Sequence, residues 1–164
     1  MIIIQARTTS QRFPNKVFYP VNGVPLIEYS INAAKKTGLD FCVAIPKDDL
    51  RLKEYLQELN IKYFEGSELD VLDRFYQCAN YYQARTIIRL CADTLYESSD
   101  IEEILQLYQF RRKFTYGNGV FICSFEELKE AWVNAKGDQR EHVTTYLYRC
   151  IDRYEDVKKW EKLL

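Results

Sequence analysis

The residues best suited to chemistry lie in the segment from Arg7 to Lys16. It carries two arginines, one lysine and several hydroxyl groups, and it contains no glycine. A guanidinium offers paired hydrogen bonds to a phosphate, an ammonium offers a point charge, and hydroxyl groups complete the contact. The pattern matches neither a Walker A loop nor a Gly-x-Gly-x-x-Gly fingerprint. We interpret it as an anion-binding loop; composition alone favours the alternative of a solvated basic loop.

A carboxylate ends the apolar segment Arg89–Asp93. Mg²⁺ is usually held by one or two carboxylates together with substrate phosphates. Asp93 is therefore a candidate metal ligand, and the capping of a turn is the alternative interpretation.

Two further segments have a functional and a simpler interpretation. The segment 66–74 resembles a helix start, and the N-terminus of such a helix can receive an anion. His142 is the only histidine, which excludes a histidine metal cluster. It is a candidate general base, whereas a partly exposed structural residue is the commoner case.

Short apolar runs alternate with helical periods along the chain. The runs predict strands at Ile2–Ala6, Phe41–Ile45, Ile61–Phe64, Thr86–Cys91 and Val120–Cys123. Helices are predicted from Pro25 to Lys36, after Asp48 or Asp49, after Ser67–Asp70, around Ile101–Tyr108, from Ser124 and from Asp138, with a short one at 154–164. This alternation predicts one α/β domain over 1–164, with a mostly parallel sheet between two helical layers.

The predicted sheet determines which loops matter. Ligands of open α/β sheets bind outside the carboxyl ends of the strands. We therefore expect a site in the loops that follow Ala6, Ile45, Phe64 and Cys91.

Composition excludes several classes of protein. The chain has 164 residues, 47% of them hydrophobic and 29% charged, with a net charge of −1. This balance argues against a nucleic-acid binder, and no apolar run reaches the length of a membrane span. The first 27 residues carry three basic side chains and no acidic one, which suits a small anion. Five scattered cysteines indicate reduced, half-buried thiols of a cytoplasmic protein.

Several motifs, taken in order, resemble the cytidylyltransferase family. The resemblance is to the branch of spore-coat polysaccharide biosynthesis protein F, which is related to the CMP-sialic acid and CMP-Kdo synthetases. It covers residues 2 to about 150. The motifs are Ile3-Ile4-Gln5-Ala6-Arg7-x-x-Ser10-x-Arg12-x-Pro14-x-Lys16-Val17, Gly23-x-Pro25-Leu26-Ile27, Gly66-Ser67-Glu68-x-Asp70-Val71-Leu72-x-Arg74, Arg89-x-x-x-Asp93, Ser124-Phe125-Glu126-x-Leu128 and Arg140-Glu141-His142-Val143-Thr144-x-Tyr146.

The resemblance implies a three-layer, Rossmann-like nucleotide-diphospho-sugar transferase fold. It also implies that CTP, or another nucleotide, reacts with a sugar acid in the presence of Mg²⁺ to give a CMP-sugar and pyrophosphate. By position, Arg12 and Lys16 would be catalytic and hold the triphosphate, and Arg7 and Ser10 would shape the nucleotide loop. Arg74 is a further nucleotide-binding candidate, and Asp93 would face the metal or the sugar. Related synthetases are commonly dimers, so a homodimer is expected.

The chain also departs from the family pattern. Two carboxylates are expected in the segment that reads Gly117-Asn118-Gly119-Val120-Phe121 here, and the segment from Ile104 to Gly117 is shorter than in the family. The segment Ala92-Asp93-Thr94-Leu95 keeps only its aspartate. These changes keep open a second hypothesis, a non-catalytic subunit that binds a nucleotide or a sugar.

Overall fold

A six-stranded sheet forms the centre of the protein. The structure is a computed structural model that describes residues 1–10, 12–111 and 115–150. In chain order its strands and α-helices are β1 (Ile2–Gln5), β2 (Pro20–Val21), β3 (Val24–Pro25), α1 (Leu26–Lys36), β4 (Phe41–Pro46), α2 (Leu50–Glu58), β5 (Tyr63–Gly66), α3 (Val71–Tyr81), β6 (Thr86–Cys91), α4 (Ser98–Arg111), β7 (Thr115–Gly117), β8 (Val120–Ser124) and α5 (Phe125–Asn134). Strands β2 and β3 form a separate small hairpin.

The strand order of the main sheet is β5-β4-β1-β6-β8-β7. The first four strands are parallel, and β8 runs antiparallel to both of its neighbours. The chain moves outward from β1 through β4 to β5 and then crosses back to β6, on the other side of β1. Such a reversal opens a crevice at the carboxyl ends of the two strands that flank it. The prediction of a mostly parallel sheet is confirmed, and the crevice lies beyond β1 and β6.

Side chains alternate between the two faces of the sheet, as the pleat requires. On β1, Ile2 and Ile4 join one core cluster, whereas Ile3 joins the other. The first cluster is covered by α1, α2 and α4, and the second by α3 and α5. The apolar run that predicted β1 is therefore buried on both faces, which is typical of a central parallel strand. The result is the expected three-layer arrangement.

Three predicted helix starts are confirmed by side-chain caps. The carboxylates of Asp49 and Asp70 accept the backbone N–H of the residue three positions on, at the starts of α2 and α3. Ser124 and Glu127 form a complete capping box at the start of α5. Each cap satisfies a backbone donor that the helix itself leaves unpaired.

The helix predicted to begin at Asp138 is wrong. Residues 137–150 form 3₁₀ turns at Gly137–Gln139 and Leu147–Cys150 with irregular turns between them. The reason is tertiary: the Arg140 side chain donates to Asp70 at 2.6 Å and to the Trp132 carbonyl at 2.7 Å. The backbone carbonyl of Arg140 also accepts the N–H of Leu72 at 3.0 Å. These contacts outweigh the helical pattern, and the β-branched run at 143–145 gives it little support. The predicted helix at 154–164 lies outside the described residues.

Three cysteines are more buried than the predicted half-buried thiols, whereas Cys91 agrees with the prediction. Cys42, Cys78 and Cys123 have no exposed surface, whereas Cys91 is intermediate, and all four are free. The Cys42 and Cys78 sulfurs lie 3.3 Å apart. Burial raises the pKa of the Cys123 thiol well above its ordinary value and also raises that of Cys91. In the described part of the chain, no helix is long and apolar enough to cross a membrane.

Alkylation of the native protein tests this burial. The thiolate is the reactive form, and burial both disfavours the thiolate and blocks the reagent. With iodoacetamide at pH 8, we expect peptides containing Cys42, Cys78 or Cys123 to be labelled at least about 100-fold more slowly than in urea. Mass spectrometry of the peptides measures this ratio. Equal labelling rates in the native and denatured protein would contradict the placement of these side chains.

Candidate functional site

The loop after β1 forms one wall of a polar cleft at the carboxyl edge of the sheet. The cleft has a volume of about 420 Å³ and is lined by Arg7, Thr9, Ser10, Arg12, Glu68, Leu69 and Glu141. Three of the predicted nucleotide-binding residues, Arg7, Ser10 and Arg12, therefore lie together. Thr9 belongs to the same loop, and Glu68 and Leu69 come from the segment before α3, one of the loops in which a site was expected. Glu141 comes from the turns after α5, and sequence reasoning had given it no role in a site.

Lys16 and Asp93 meet across the crevice between β1 and β6. Lys16 begins a 3₁₀ turn, Lys16–Phe18, and its Nζ lies 3.0 Å from Oδ2 of Asp93, just beyond β6. The two side chains are 39% and 45% exposed. An ion pair this exposed contributes at most about 1 kcal/mol. A phosphate group can therefore displace either partner at little cost, and the strand topology explains how residues 77 positions apart become neighbours.

Acidic side chains surround the basic loop. Glu141 lies 4.0 Å from the Arg7 guanidinium, and Glu68 accepts a hydrogen bond from the Thr9 hydroxyl at 2.7 Å. With Asp93 beside Lys16 and Asp49 hydrogen-bonded to Thr8, four carboxylates of the described residues therefore face the segment that has no acidic residue of its own. The basic segment and the acidic residues, which are separated along the sequence, are therefore neighbours in the folded protein. The cleft combines hydrogen-bond donors for an anion with carboxylate acceptors for hydroxyl or amino groups.

Arg74 lies behind the cleft and not on its surface. Its side chain has no exposed area, and one terminal nitrogen donates to the Ser67 carbonyl at 2.7 Å. The Nε and the second terminal nitrogen have no hydrogen-bond partner among the described residues. Burial, and next the positive charge of Arg7, lower the pKa of Arg74 to about 10, while the carboxylates of Glu68 and Asp49 oppose this change. A nucleotide-binding role for Arg74 stays a prediction.

Gly66 makes room for the buried Arg74. A Cβ built at Gly66 would lie 2.7 Å from Cγ of Arg74, closer than two carbon atoms pack. We expect Gly66→Ala to lower the free energy of unfolding by about 1–3 kcal/mol, the usual cost of overpacking. Urea denaturation measures this loss. In an Arg74→Ala background the same change should cost less than about 1 kcal/mol, because the Cγ atom at 2.7 Å is gone and only the milder contacts with Cβ and Cα, at 3.1 and 3.3 Å, remain. An equal cost in both backgrounds would contradict the proposed clash.

The segment expected to carry two further carboxylates is a tight hairpin. Asn118 and Gly119 connect β7 to β8 with φ angles of 50° and 75°. The Tyr96 hydroxyl donates to the Gly119 carbonyl at 3.1 Å, and a Cβ at Gly119 would lie 3.3 Å from the Tyr96 ring. An aspartate at Gly119 would therefore strain the backbone and crowd Tyr96. Restoring a carboxylate at this position would therefore need more than a single substitution.

His142 is exposed, and its role as a general base stays a prediction. No group of three His, Cys, Asp or Glu residues is placed to hold a metal ion anywhere in residues 1–10, 12–111 and 115–150.

Comparison with known proteins identifies the family. The sequence profile described as cytidylyltransferase matches residues 1–157. The chain belongs to the cytidylyltransferase family. This confirms the resemblance that the motifs indicated, although one of the motif residues, Arg74, is fully buried.

Two relatives place this cytidylyltransferase-family protein among its homologues. An uncharacterized protein of Methanocaldococcus jannaschii is 36% identical over 159 residues, covering 89% of this chain and 65% of that protein. The spore coat polysaccharide biosynthesis protein SpsF of Bacillus subtilis is 27% identical over 165 residues, covering 90% and 69%. The chain thus spans about two thirds of the length of these curated relatives.

Solved structures agree on the fold. A cytidylyltransferase from Leptospira borgpetersenii superposes with a TM-score of 0.79 at 23% identity, covering 89% of this chain and 69% of the other. A CMP:2-keto-3-deoxy-manno-octonic acid synthetase complexed with CTP superposes with a TM-score of 0.72 at 15% identity, covering 99% and 96%. At such identities the likeness establishes the Rossmann-like fold of the cytidylyltransferase family, and the site residues rest on the geometry described above.

Proposed function

We propose that this protein transfers CMP from CTP to a sugar acid, with release of pyrophosphate, in the biosynthesis of a surface polysaccharide. One observation carries the proposal: in a cytidylyltransferase-family chain, the basic loop 7–16 lies at the crevice beside Asp93. The relatives add support for the substrate class. One is named for spore coat polysaccharide biosynthesis, and a 36-residue match at 50% identity is to a 3-deoxy-manno-octulosonate cytidylyltransferase of Nitratiruptor.

In the proposed reaction a hydroxyl oxygen of the sugar attacks the α-phosphorus of CTP. The new bond forms from that oxygen to the phosphorus, the hydroxyl proton passes to water, the bond from the phosphorus to the bridging oxygen breaks, and pyrophosphate leaves. Phosphoryl-type transfer depends mainly on positioning and on neutralising negative charge. Arg12 and Lys16 bind the triphosphate, and Lys16 stabilises the charge on the departing pyrophosphate.

The remaining loop residues position the nucleotide. Arg7 and Ser10 shape the loop around it, since both line the cleft. Arg74 contributes positive potential from behind the cleft and makes no direct contact, because its side chain is fully buried.

Asp93 fits the role of the single protein ligand of a Mg²⁺ ion. Its carboxylate is 45% exposed and lies just beyond the carboxyl end of β6. Mg²⁺ is often bound through one or two carboxylates and the substrate phosphates. When bound with the triphosphate, the ion neutralises phosphate charge.

A second candidate function is a subunit that binds the nucleotide without turnover. The Asn118–Gly119 hairpin favours it, because it occupies the segment where the family pattern has carboxylates. It predicts nucleotide binding with no pyrophosphate release.

A pyrophosphate-release assay distinguishes these functions. The purified protein is incubated with CTP, Mg²⁺ and a panel of sugar acids, beside Lys16→Ala and the matched control Lys62→Ala, an exposed lysine outside the cleft. The proposal expects release above the Lys16→Ala level with at least one acceptor, and unchanged release by Lys62→Ala. Nucleotide binding without release for every sugar acid would overturn the proposed transfer and favour the binding subunit.

A further inference from the structure

A single buried carboxylate joins the basic loop to helix α2. Asp49 is 6% exposed, and one of its oxygens accepts the N–H of Leu52 at 3.3 Å, which caps the helix. The other oxygen accepts both the backbone N–H of Thr8 at 2.7 Å and the Thr8 hydroxyl at 2.9 Å. Thr8, the second residue of loop 7–16, is therefore held by a residue at a helix start 41 positions further along the chain.

The same helix turn also holds the far end of the loop. The Thr8 carbonyl accepts the N–H of Asn15 at 2.8 Å, which closes the loop on itself. The Asn15 side chain in turn accepts a hydrogen bond from Arg51 at 2.9 Å, and its φ of 57° marks a left-handed turn. The two anchored residues, Thr8 and Asn15, are the chain neighbours of Arg7 and Lys16. The first turn of α2 therefore fixes the backbone positions from which both cationic side chains extend.

Capping alone does not account for a carboxylate at this position. A helix start needs one acceptor, and asparagine or serine provides it about as well as aspartate. Burying a carboxylate is costly unless its oxygens are hydrogen-bonded. The two short hydrogen bonds to Thr8 are the contacts that offset this cost, and hydrogen bonds to a charged group are stronger than neutral ones.

We propose that Asp49 is a positioning residue, which fixes Thr8 so that the basic loop is preorganised to bind a polyphosphate. The inference rests on the proposed function for the identity of the ligand, and it adds a residue that touches no substrate. Preorganisation improves affinity because the loop is already ordered in the free protein, so binding does not carry the entropic cost of ordering it.

The test compares Asp49→Asn with the neighbouring, exposed Asp48→Asn and with Thr8→Val. Asparagine keeps an acceptor for Leu52 and caps helices well, but an amide cannot also accept both donors of Thr8 with the opposite atom. Calorimetry then measures the dissociation constants of CTP and of inorganic tripolyphosphate, with folding verified by circular dichroism. Hydrogen exchange measures the protection of the Thr8 amide.

We expect Asp49→Asn to weaken the binding of both probes by about tenfold and to speed exchange at the Thr8 amide, with Asp48→Asn unchanged. Thr8→Val should weaken binding less, and the double variant should bind no more weakly than Asp49→Asn alone, because the two changes remove the same contact. Additive losses, or unchanged exchange at Thr8, would overturn the proposal.

The probes separate this inference from the proposed function. If the unmodified protein binds tripolyphosphate but not CTP, the proposed function fails, and the tripolyphosphate series still decides the role of Asp49. If it binds neither probe, the positioning role is overturned together with the proposed function.

Discussion

Lys16→Ala is expected to lower the rate of pyrophosphate release by about 100- to 1,000-fold. Lys16 is the one basic residue of the loop that reaches the crevice at Asp93, 3.0 Å away. In the proposed reaction its charge is most valuable when negative charge has grown on the leaving group. An interaction that strengthens in the transition state changes kcat more than substrate affinity.

Steady-state kinetics and calorimetry together measure this prediction. The expected pattern is a large fall in kcat with a change in the dissociation constant of CTP below about tenfold. Arg12→Ala should give the opposite balance, because the exposed Arg12 lies on the cleft wall, where the proposed function places the triphosphate before reaction. If Lys16→Ala weakened CTP binding strongly and left kcat unchanged, Lys16 would only bind the nucleotide, and its assignment as catalytic would be wrong.

The Asp93→Asn substitution is expected to strengthen CTP binding in metal-free buffer and to weaken it in buffer that contains Mg²⁺. Without metal, the variant should bind CTP about fivefold more tightly than the unmodified protein, because two negative charges about 4 Å apart repel by about 1 kcal/mol even in water. With Mg²⁺, it should bind at least about tenfold more weakly, because the protein ligand of the ion is lost.

The change of sign is the diagnostic result. Glu102→Gln, which removes an exposed carboxylate from α4, serves as the matched control and should shift both affinities equally and slightly. Calorimetric titrations in chelator and in Mg²⁺ give all the required constants. Weaker binding by Asp93→Asn in both buffers would mean that Asp93 contacts the nucleotide or orients Lys16, and the assignment as a metal ligand would be wrong.

Local signals were enough to predict the main elements of this fold. The apolar run at Ile2–Ala6 predicts β1, because a central parallel strand is buried on both faces. Asp49 and Ser124 predict helix starts, because a cap needs only neighbouring residues. Both Lys16 and Asp93 were expected in loops at the same edge of the sheet, but their contact depends on the adjacency of β1 and β6, which the structure supplies.

Contacts between distant segments could not be predicted from the sequence. Arg140 is held by Asp70 and by the carbonyl of Trp132, and these contacts replace the predicted helix after Asp138. The same turns bring Glu141 to the cleft, where it faces Arg7. The pairing of Asp49 with Thr8 has no local signature either, because the two residues are 41 positions apart and a capping residue before α2 predicts no contact with a distant loop.

The burial of Arg74 has a local cause that spacing alone does not reveal. Glycine at 66 permits the side chain to lie against the backbone of β5, and the Ser67 carbonyl holds it there. A basic residue in a family motif suggests direct ligand contact. In this protein Arg74, which the motif suggested as a ligand-binding residue, is buried in the interior.

Equilibrium binding of CTP, UTP, GTP and ATP, with and without Mg²⁺, tests the central claim most directly. The central claim is that the basic loop and Asp93 form a nucleotide site, and calorimetry on the unmodified protein measures it without an acceptor sugar. The account predicts that CTP binds most tightly of the four and that Mg²⁺ strengthens its binding. Absence of binding for all four nucleotides would contradict it and would mean that the fold of the family is present without its nucleotide site.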